Sequence, residues 1–485
     1  MTIKDLEPKI VWNNFYELTR IPRPSKHEEK VIAFLVDWGK KHGFDTVKDE
    51  TGNVIISVPA TPGYENRRGV ILQGHMDMVP QKTADSKHNF LTDPIETEIV
   101  GEWVGAKGTT LGADDGMGLA FAMAVLEDKT LKHGPVELLA TYDEETGMSG
   151  AENLKPGMLK GDILINIDSE DEGELCIGCA GGLDAIADFK YRTYKAPEGM
   201  VGYKVGVKDL QGGHSGMDIS LYRGNSNKIV ADALIPVMEQ FRVKVANFTG
   251  GSLRNAIPFE AEALILVPEA AEKEVVAAIK ASLAEAKAEF AESDPNMQTY
   301  VRKVNAPARY IASGVMLRAL KAVIVCPSNV IRMSQSMAGL TETSINLAIV
   351  RTERGHIKVA CLLRSAVNAA KMELARRVKY VFEFAGADKI EFTGGYPGWL
   401  PKPDTPINKI MADVYRKMFG REMKVVATHG GLECAIMGAT YPKWEMTSIG
   451  PTIVHPHSPD ERVKISTVAE VWEFLKAVLE EIPCK

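Results

Sequence analysis

Along the first 170 residues, apolar positions recur with the periods of short strands and longer helices in alternation. A helix is expected between Ser25 and Gly43, because apolar residues recur there every three to four positions and Ser25-Lys-His-Glu28 has the spacing of a capping box. Further apolar blocks predict a helix at 117–126 and strands at 53–58, 69–73, 136–141 and 163–167. Strands that alternate with helices in this way predict an α/β layer with helices on both faces.

The pattern changes near residue 185, where a second set of elements begins. Strand-helix-strand-strand-helix-strand order is typical of a ferredoxin-like unit, and the predicted elements here lie at 203–207, 225–242, 262–267, 270–293, 344–350, 357–363, 366–385 and 389–393. Residues 398–485 begin in a turn-rich stretch and are too few to fold alone. We therefore predict an α/β mixed-sheet domain, 1–185 plus 398–485, interrupted by an inserted α+β domain, 186–397, built as a doubled ferredoxin-like unit.

Composition narrows the class of protein. The chain has 485 residues, and its 57 Lys and Arg against 64 Asp and Glu give a formal net charge of −7. Because no block of five or six like charges occurs, this balance argues against nucleic acid as a partner. The sequence shows neither a signal-peptide pattern nor an apolar run of membrane-spanning length, and six cysteines are too few for a disulfide framework. We expect a cytoplasmic protein that binds neither nucleic acid nor membrane.

Histidine and carboxylate residues stand where the predicted strands end. His75 and Asp77 are two residues apart and so share one face of a strand, while the other chemistry-bearing positions are Asp114-Asp115 in a Gly-rich turn, Glu144-Glu145, Asp168, His455 and His457. Taken singly, each motif is more often a solvated surface feature. In open α/β sheets, however, ligand sites gather at the carboxyl ends of strands. The combination therefore predicts one site.

The longer stretches around these residues resemble a known family. The matching stretches are Gln-Gly-His75-Met-Asp77, Leu111-Gly-Ala-Asp114-Asp-Gly, Gly178-Cys-Ala-Gly-Gly, Gly-Gly-His214-Ser-Gly, Leu253-Arg-Asn255-Ala-Ile-Pro, Gly-Gly-Leu-Glu433-Cys and Pro-His457-Ser-Pro-Asp-Glu. They resemble the cocatalytic zinc peptidases and deacylases, which include carboxypeptidase G, aminoacylase, peptidase T and peptidase V. Within that family the resemblance is closer still to the bacterial aminoacyl-histidine dipeptidases, and it extends over essentially the whole chain.

The resemblance implies a centre of two divalent metal ions, with Zn²⁺ favoured over Mn²⁺ and Co²⁺. It implies that His75 and Asp168 bind one ion, that Glu145 and His457 bind the other, and that Asp114 bridges the two. Nitrogen and carboxylate ligands suit Zn²⁺, and a bridging carboxylate offsets the repulsion between neighbouring cations. The family also implies a cis peptide bond after Asp114.

Further roles around the metals follow from the same resemblance. Asp77 is expected to accept a hydrogen bond from the ring of His75 and so to fix its tautomer. Glu144 is expected to be the general base that takes a proton from the metal-bound water. His455 lies two residues from His457 and competes with it as a ligand, and the family pattern favours His457.

Substrate contacts are implied for four more residues. His214 is expected to stabilise the oxyanion, with help from Asn255, and Arg364 to pair with the substrate carboxylate as a bidentate fork. Glu433 is expected to hold the free amine of a dipeptide. Other interpretations remain open at this stage: His214 as a solvated residue of a glycine turn, and Arg364 as a surface charge or part of an internal salt bridge.

The sequence therefore predicts a dinuclear zinc dipeptidase that cleaves Xaa-His dipeptides by attack of metal-bound hydroxide. In this interpretation the first domain is catalytic, and the inserted domain is a lid that binds substrate and offers a surface for homodimerisation. A related deacylase of N-acyl amino acids, or a metallocarboxypeptidase, is the alternative within the family. A non-catalytic binding protein is the alternative outside it, although it predicts a broken set of ligands, and every ligand position here is filled.

Overall fold

The computed structural model describes residues 2–485. Its α-helices are α1 (Lys9–Thr19), α2 (Glu29–His42), α3 (Ala113–Glu127), α4 (Glu144–Gly147), α5 (Ser149–Glu152), α6 (Ser226–Phe241), α7 (Glu272–Glu289), α8 (Ser313–Val325), α9 (Asn368–Phe384), α10 (Pro406–Phe419), α11 (Glu433–Thr440) and α12 (Ile465–Glu481). Within the described residues, no helix is both long and apolar enough to cross a membrane.

The strands fall into a larger number of shorter segments. They are β1 (Asp45–Lys48), β2 (Val54–Val58), β3 (Val70–His75), β4 (Thr97–Val100), β5 (Trp103–Ala106), β6 (Val136–Thr141), β7 (Ile163–Asn166), β8 (Glu174–Cys179), β9 (Gly181–Lys190), β10 (Thr193–Lys195), β11 (Met200–Lys208), β12 (Lys244–Gly250), β13 (Ala261–Pro268), β14 (Gln298–Val304), β15 (Arg309–Ile311), β16 (Asn329–Met333), β17 (Thr341–Glu353), β18 (His356–Ser365), β19 (Lys389–Thr393), β20 (Lys424–Thr428), β21 (Glu445–Ser448), β22 (Ile453–Val454) and β23 (Arg462–Lys464).

The chain divides into two compact units. The first unit runs to Gly178 and continues with Pro401–Ala427 and Leu432–Lys485, and the second unit is Cys179–Leu400 with Thr428–Gly431. Thr428–Gly431 therefore belongs to the second unit, although the sequence assigns everything after residue 397 to the first domain. Which unit is catalytic and which is a lid stays a prediction.

The first unit contains an eight-stranded mixed sheet, in the order β1-β2-β6-β3-β7-β21-β8-β20, and a four-stranded sheet, in the order β22-β23-β5-β4. Strands β6, β3, β7 and β21 run parallel to one another, and β2 is antiparallel to β6. Every residue of β3, β6 and β7 is buried, which fits strands covered by helices on both faces. Four parallel strands end at one edge of the sheet, so the loops that follow them are neighbours.

Helix α2 shows where local sequence signals succeed and where they fail. Its C-terminus is as predicted, because Gly43 takes the left-handed conformation at φ 76° that commonly ends helices. The predicted capping box is wrong: the residue at the N-cap is Glu28, which makes no side-chain capping bond. Instead, Ser25 hydrogen-bonds to the carbonyl of Met78 through its backbone N–H, and the Glu28 side chain is fully buried. Tertiary contacts thus override the local motif.

The second unit contains a continuous antiparallel sheet in the order β14-β11-β13-β12-β17-β18-β9-β19, with β16 paired to β17. One half follows the ferredoxin-like order β11-α6-β12-β13-α7-β14. The other half uses β9-α8-β17-β18-α9-β19, so its first strand comes before the whole of the first half in the chain. The predicted α/β and doubled ferredoxin-like architecture is confirmed, but the two ferredoxin-like halves are nested rather than consecutive.

We expect α9 to contribute to stability through its inner face only. Phe382 is 1% exposed and its ring meets that of Phe189 edge to face at 6.3 Å, whereas Phe384, two residues further on, is 91% exposed. Phe382→Ala should lower the free energy of unfolding by about 3–5 kcal/mol, because it leaves a cavity. Phe384→Ala, the matched control, should change it by less than about 0.5 kcal/mol. Urea unfolding followed by circular dichroism measures both, and equal losses would contradict this packing.

Candidate metal centre

The predicted ligands of the first unit lie together at the carboxyl edge of its parallel strands. His75 is the last residue of β3, Glu145 follows β6 and Asp168 follows β7. Asp114 lies in the first turn of α3, beside the sheet, and His457 comes from the loop between β22 and β23. A cluster of ligand atoms from His75, Asp114 and Glu145, all within 4.8 Å of one another, is one of two groups in the described chain that could hold a metal ion.

The carboxylate of Asp114 faces a different histidine with each of its oxygens. Oδ1 lies 3.0 Å from Nε2 of His75, and Oδ2 lies 3.0 Å from Nε2 of His457. On the first side, Nε2 of His75 is also 3.4 Å from Oδ1 of Asp168. On the second side, Nε2 of His457 is also 3.0 Å from Oε2 of Glu145. The five side chains thus form two groups that share one carboxylate.

These residues fit a pair of divalent cations. Two imidazoles and three carboxylates are the donor types that Zn²⁺ takes. Oε1 of Glu145 is buried and has no hydrogen-bond partner among the described residues, so it retains a lone pair for a ligand. Burial raises the pKa of Asp168 to about 6, and the nearby charges of Asp114 and Glu145 add to this shift. A bound cation would relieve the repulsion among these carboxylates.

A cis peptide bond joins Asp114 to Asp115, as the family resemblance implies. The carboxylate of Asp115 accepts hydrogen bonds from the backbone N–H groups of His75, at 3.3 Å, and Gly118, at 3.0 Å. The two adjacent acids therefore have different environments.

Asp77 is fully buried and holds the turn after β6. Its Oδ1 accepts from the backbone N–H of Glu144 at 3.0 Å, and its Oδ2 accepts from that of Glu145 at 3.2 Å. Oδ1 also lies 3.4 Å from Nδ1 of His75. Asp77 therefore touches the ring nitrogen of His75 that faces away from Asp114, and it fixes the backbone of both neighbouring glutamates.

Glu144 and Glu145 differ in their contacts. The close approach to His457 belongs to Glu145, whereas burial raises the pKa of Glu144 well above its ordinary value, with further contributions from Asp168 and Glu433. The Glu144 carboxylate thus lies near the cluster, but it makes none of the histidine contacts described above.

The structure distinguishes the two C-terminal histidines. His455 is exposed and its carbonyl accepts a hydrogen bond from Ser458, while His457 makes both contacts to the carboxylate cluster. His455 takes no part in those contacts, so the structure agrees with the preference for His457.

Glu433 opens helix α11 and is 1% exposed. Its Oε2 accepts from Nε2 of Gln73 at 2.7 Å and from Oγ1 of Thr141 at 2.6 Å. Its Oε1 is buried without a hydrogen-bond partner in the described chain. Burial raises the pKa of Glu433 to about 8. The residue is thus an internal carboxylate of the first unit with one oxygen unused.

The second unit has a polar cluster of its own around Arg364, which is 5% exposed. The guanidinium lies 3.4 Å from the hydroxyl groups of Ser215 and Tyr396, to which it donates, and 3.4 Å from Nε2 of His214. Burial lowers the pKa of His214, and the charge of Arg364 lowers it further. All three of these contacts are to neutral groups, and the Asp184 carboxylate, on which the charge of Arg364 also acts, accepts a hydrogen bond from Arg254.

Asn255 is connected to this cluster through its backbone. Its carbonyl accepts from the N–H of Ser215 at 2.8 Å, and its side chain is exposed. Asn346 donates to the carbonyls of the flanking residues Arg254 and Ala256 and so anchors the loop.

Three residues near these clusters were not predicted from the sequence as parts of a site. Glu28, fully buried, accepts from the backbone N–H of Asp143 at 3.2 Å, and it belongs with Asp77 and Asp143 to the second group that could hold a metal. Burial raises the pKa of Glu170 to about 8, aided by Asp114 and Asp168. Glu170 could have been predicted near the site because it lies two residues after Asp168. Glu28 could not, because its spacing from Ser25 indicated a capping residue at the surface.

The third is His429, which belongs to the second unit. Its Nε2 lies 2.7 Å from the hydroxyl of Ser344, and burial, followed by the charge of Arg364, lowers its pKa to about 3. The ring is therefore neutral at physiological pH. The one sequence feature that could have predicted a role for His429 is its position four residues before Glu433 in a glycine-rich loop.

Comparison with known proteins shows the family of the chain. The family model described as peptidase family M20/M25/M40 matches residues 71–481, a span that contains every ligand candidate. The chain belongs to this family. The peptidase is 42% identical over 488 residues to the cytosol non-specific dipeptidase of Escherichia coli strain K12, with 100% of this chain and 99% of that protein covered.

Solved structures extend the likeness to the fold. Aminoacylhistidine dipeptidase from Vibrio alginolyticus is similar to the peptidase with a TM-score of 0.93 and 44% identity, covering 100% of this chain and 99% of that one. Aminopeptidase PepT from Bacillus cereus gives a TM-score of 0.58 at 16% identity, covering 98% and 99% of the two chains. The second likeness concerns the fold alone.

Proposed function

We propose that the peptidase is a dinuclear metallodipeptidase whose centre is built by His75, Asp114, Glu145, Asp168 and His457. The observation that carries this proposal is the Asp114 carboxylate, whose two oxygens each lie 3.0 Å from a different histidine. A carboxylate shared in this way suits a bridge between two cations about 3.5–4 Å apart. The names of the two similar dipeptidases support the reaction class.

Zn²⁺ is the metal we favour, because imidazole and carboxylate are the ligands that it takes in proteins, whereas Mn²⁺ favours a six-coordinate set of oxygen donors; Co²⁺ accepts the same ligands as Zn²⁺. When bound, two such cations polarise the scissile carbonyl and lower the pKa of the attacking water.

Glu144 is our candidate for the general base. It takes a proton from the attacking water through its carboxylate and returns that proton to the nitrogen of the leaving amine. Its backbone is fixed by Asp77, and a raised pKa suits a group that must both accept and donate a proton near neutral pH. Asp77 acts as a positioning residue for His75 as well.

We assign a different residue to each of the two charged ends of a dipeptide. Arg364 binds the carboxylate as a planar fork, and its three hydrogen-bonding neighbours carry no charge that competes for it. Glu433, with one buried oxygen unused, takes the free ammonium group. His214, neutral because of burial and Arg364, donates a hydrogen bond to the developing oxyanion, and the Asn255 loop supports it.

We assign the catalytic role to the first unit and the substrate-binding, lid-like role to the second unit. The substrate class we propose is Xaa-His and related dipeptides, following the name of the Vibrio protein, and the compartment is the cytosol, following that of the Escherichia protein. Homodimerisation through the second unit stays a prediction.

A substrate panel tests the reaction class. Metal-reconstituted protein should hydrolyse free dipeptides, Xaa-His among them, and should cleave the matched N-acetylated dipeptides at least tenfold more slowly, because acetylation removes the ammonium group that Glu433 would bind. Liquid chromatography of the products measures both rates. Equal or faster cleavage of the acetylated substrates would show that the protein is a deacylase or a carboxypeptidase instead. If none of these compounds were hydrolysed, the alternative of a non-catalytic binding protein would hold.

Glu144→Gln tests the proton transfer. The amide keeps the size of the side chain but cannot accept the proton, so kcat for β-alanyl-histidine should fall by about 10²–10⁴-fold. Metal content, measured by inductively coupled plasma mass spectrometry, should remain at two ions per chain. Glu152→Gln is the control: it makes the same substitution at an exposed residue of the neighbouring helix α5, and it should keep wild-type kcat. Wild-type turnover by a fully metallated Glu144→Gln variant would rule out this base.

Arg364→Lys tests recognition of the substrate carboxylate. Lysine retains the charge but loses the bidentate fork, so KM for a free dipeptide should rise by about tenfold or more, corresponding to about 1.4 kcal/mol. The same dipeptide with an amidated C-terminus should be a poor substrate of both proteins and should show little difference between them. An equal loss for free and amidated substrates would show that Arg364 does not read the carboxylate.

A further inference from the structure

Glu461 lies in the interior of the first unit, four residues after His457, and is 2% exposed. Its carboxylate accepts hydrogen bonds from four consecutive backbone N–H groups. Oε2 accepts from Leu111 at 2.8 Å and Gly112 at 3.0 Å, and Oε1 accepts from Ala113 at 2.7 Å and Asp114 at 3.2 Å. A single side chain thereby holds the whole loop that leads into α3.

This contact joins two of the proposed metal ligands that are far apart in the chain. Asp114 contributes the last of the four N–H groups, so its backbone is tied directly to Glu461. His457 lies on the same short loop as Glu461, and its ring lies 3.0 Å from Asp114. One carboxylate thus links the backbone of Asp114 to the loop that carries His457.

Arg23 supplies the buried positive charge on the other side of the loop. It is 1% exposed and donates through Nη1 to the carbonyls of Met76 and Asp77, each at 2.9 Å, and through Nη2 to that of Gly112. The same guanidinium thus connects the segment just after His75 to the loop that Glu461 holds. Gly112 has φ 71°, and a Cβ there would lie 2.7 Å from Nη2, so this position requires glycine.

We propose that Glu461 is a positioning residue that, with Arg23 as its buried counter-charge, sets the spacing of the two metal subsites before any cation binds. The proposal rests on the proposed function, because it assumes that Asp114 and His457 are ligands. Glu461 itself touches neither cation nor substrate. Its effect on metal affinity passes through the backbone of Asp114 and the loop of His457, as outer groups in metal sites commonly act through the ligands they orient.

The first experiment measures metal binding by Glu461→Gln. The amide turns an N–H₂ group toward two of the four backbone N–H groups, so donors face donors and the loop loses its fixed position. The dissociation constants for Zn²⁺, from chelator competition, should rise by about 10–100-fold, and the d–d absorption spectrum of the Co²⁺-loaded protein should change. Asp460→Asn removes the same charge from the adjacent, exposed residue and should leave both readouts at wild-type values.

A purely structural role predicts a different result. In that case, Glu461→Gln would lower the free energy of unfolding of the metal-free protein, while the folded fraction would keep wild-type Zn²⁺ affinity and an unchanged Co²⁺ spectrum. That outcome would overturn the positioning role and leave the proposed function intact. Failure of the wild-type protein to bind any divalent ion would overturn both.

A second experiment needs no variant and applies even if Glu461→Gln fails to fold. The first N–H groups of a helix have no partner within it and usually exchange quickly with solvent. In the metal-free wild-type protein, hydrogen-exchange mass spectrometry should find the amides of 111–114 as strongly protected as those of β3. Rapid exchange at 111–114 without metal, followed by protection when Zn²⁺ is added, would mean that the cation organises the loop, and would refute the proposal.

Discussion

Mutual repulsion among buried carboxylates is the constraint on which the site depends. Asp114, Asp168, Glu144 and Glu145 lie close enough for their charges to act on one another, and burial raises the pKa of both Asp168 and Glu144. Such a group is costly to bury unless cations or hydrogen-bond donors offset its charge. Two divalent cations, with four positive charges, would exceed the three negative charges of the ligand carboxylates by one. The negative potential of these buried carboxylates would thus give the site its affinity for metal.

The chain meets this constraint with backbone N–H groups as well as histidines. A second set of acids is held by backbone N–H donors: two of them donate to Asp77, four donate to Glu461, and the N–H of Asp143 is among those that donate to Glu28. Each of these bonds stabilises a buried negative charge and at the same time fixes a loop that carries a candidate ligand. The electrostatic requirement and the geometric requirement are therefore satisfied by the same contacts, and both ends of the chain take part in them.

The sequence pattern succeeded in predicting residues whose placement is local or follows from strand direction. His75, Glu145 and Asp168 follow strands that proved to be parallel neighbours, so their convergence could be predicted from the sequence pattern alone. It failed where distant segments decide the outcome. Glu28 has the spacing of a capping residue, yet it is drawn inward by the N–H of Asp143, and the nested order of the second unit depends on β9 pairing with β18, more than 160 residues later. The four-fold contact of Glu461 joins positions about 350 apart, and no local pattern signals it.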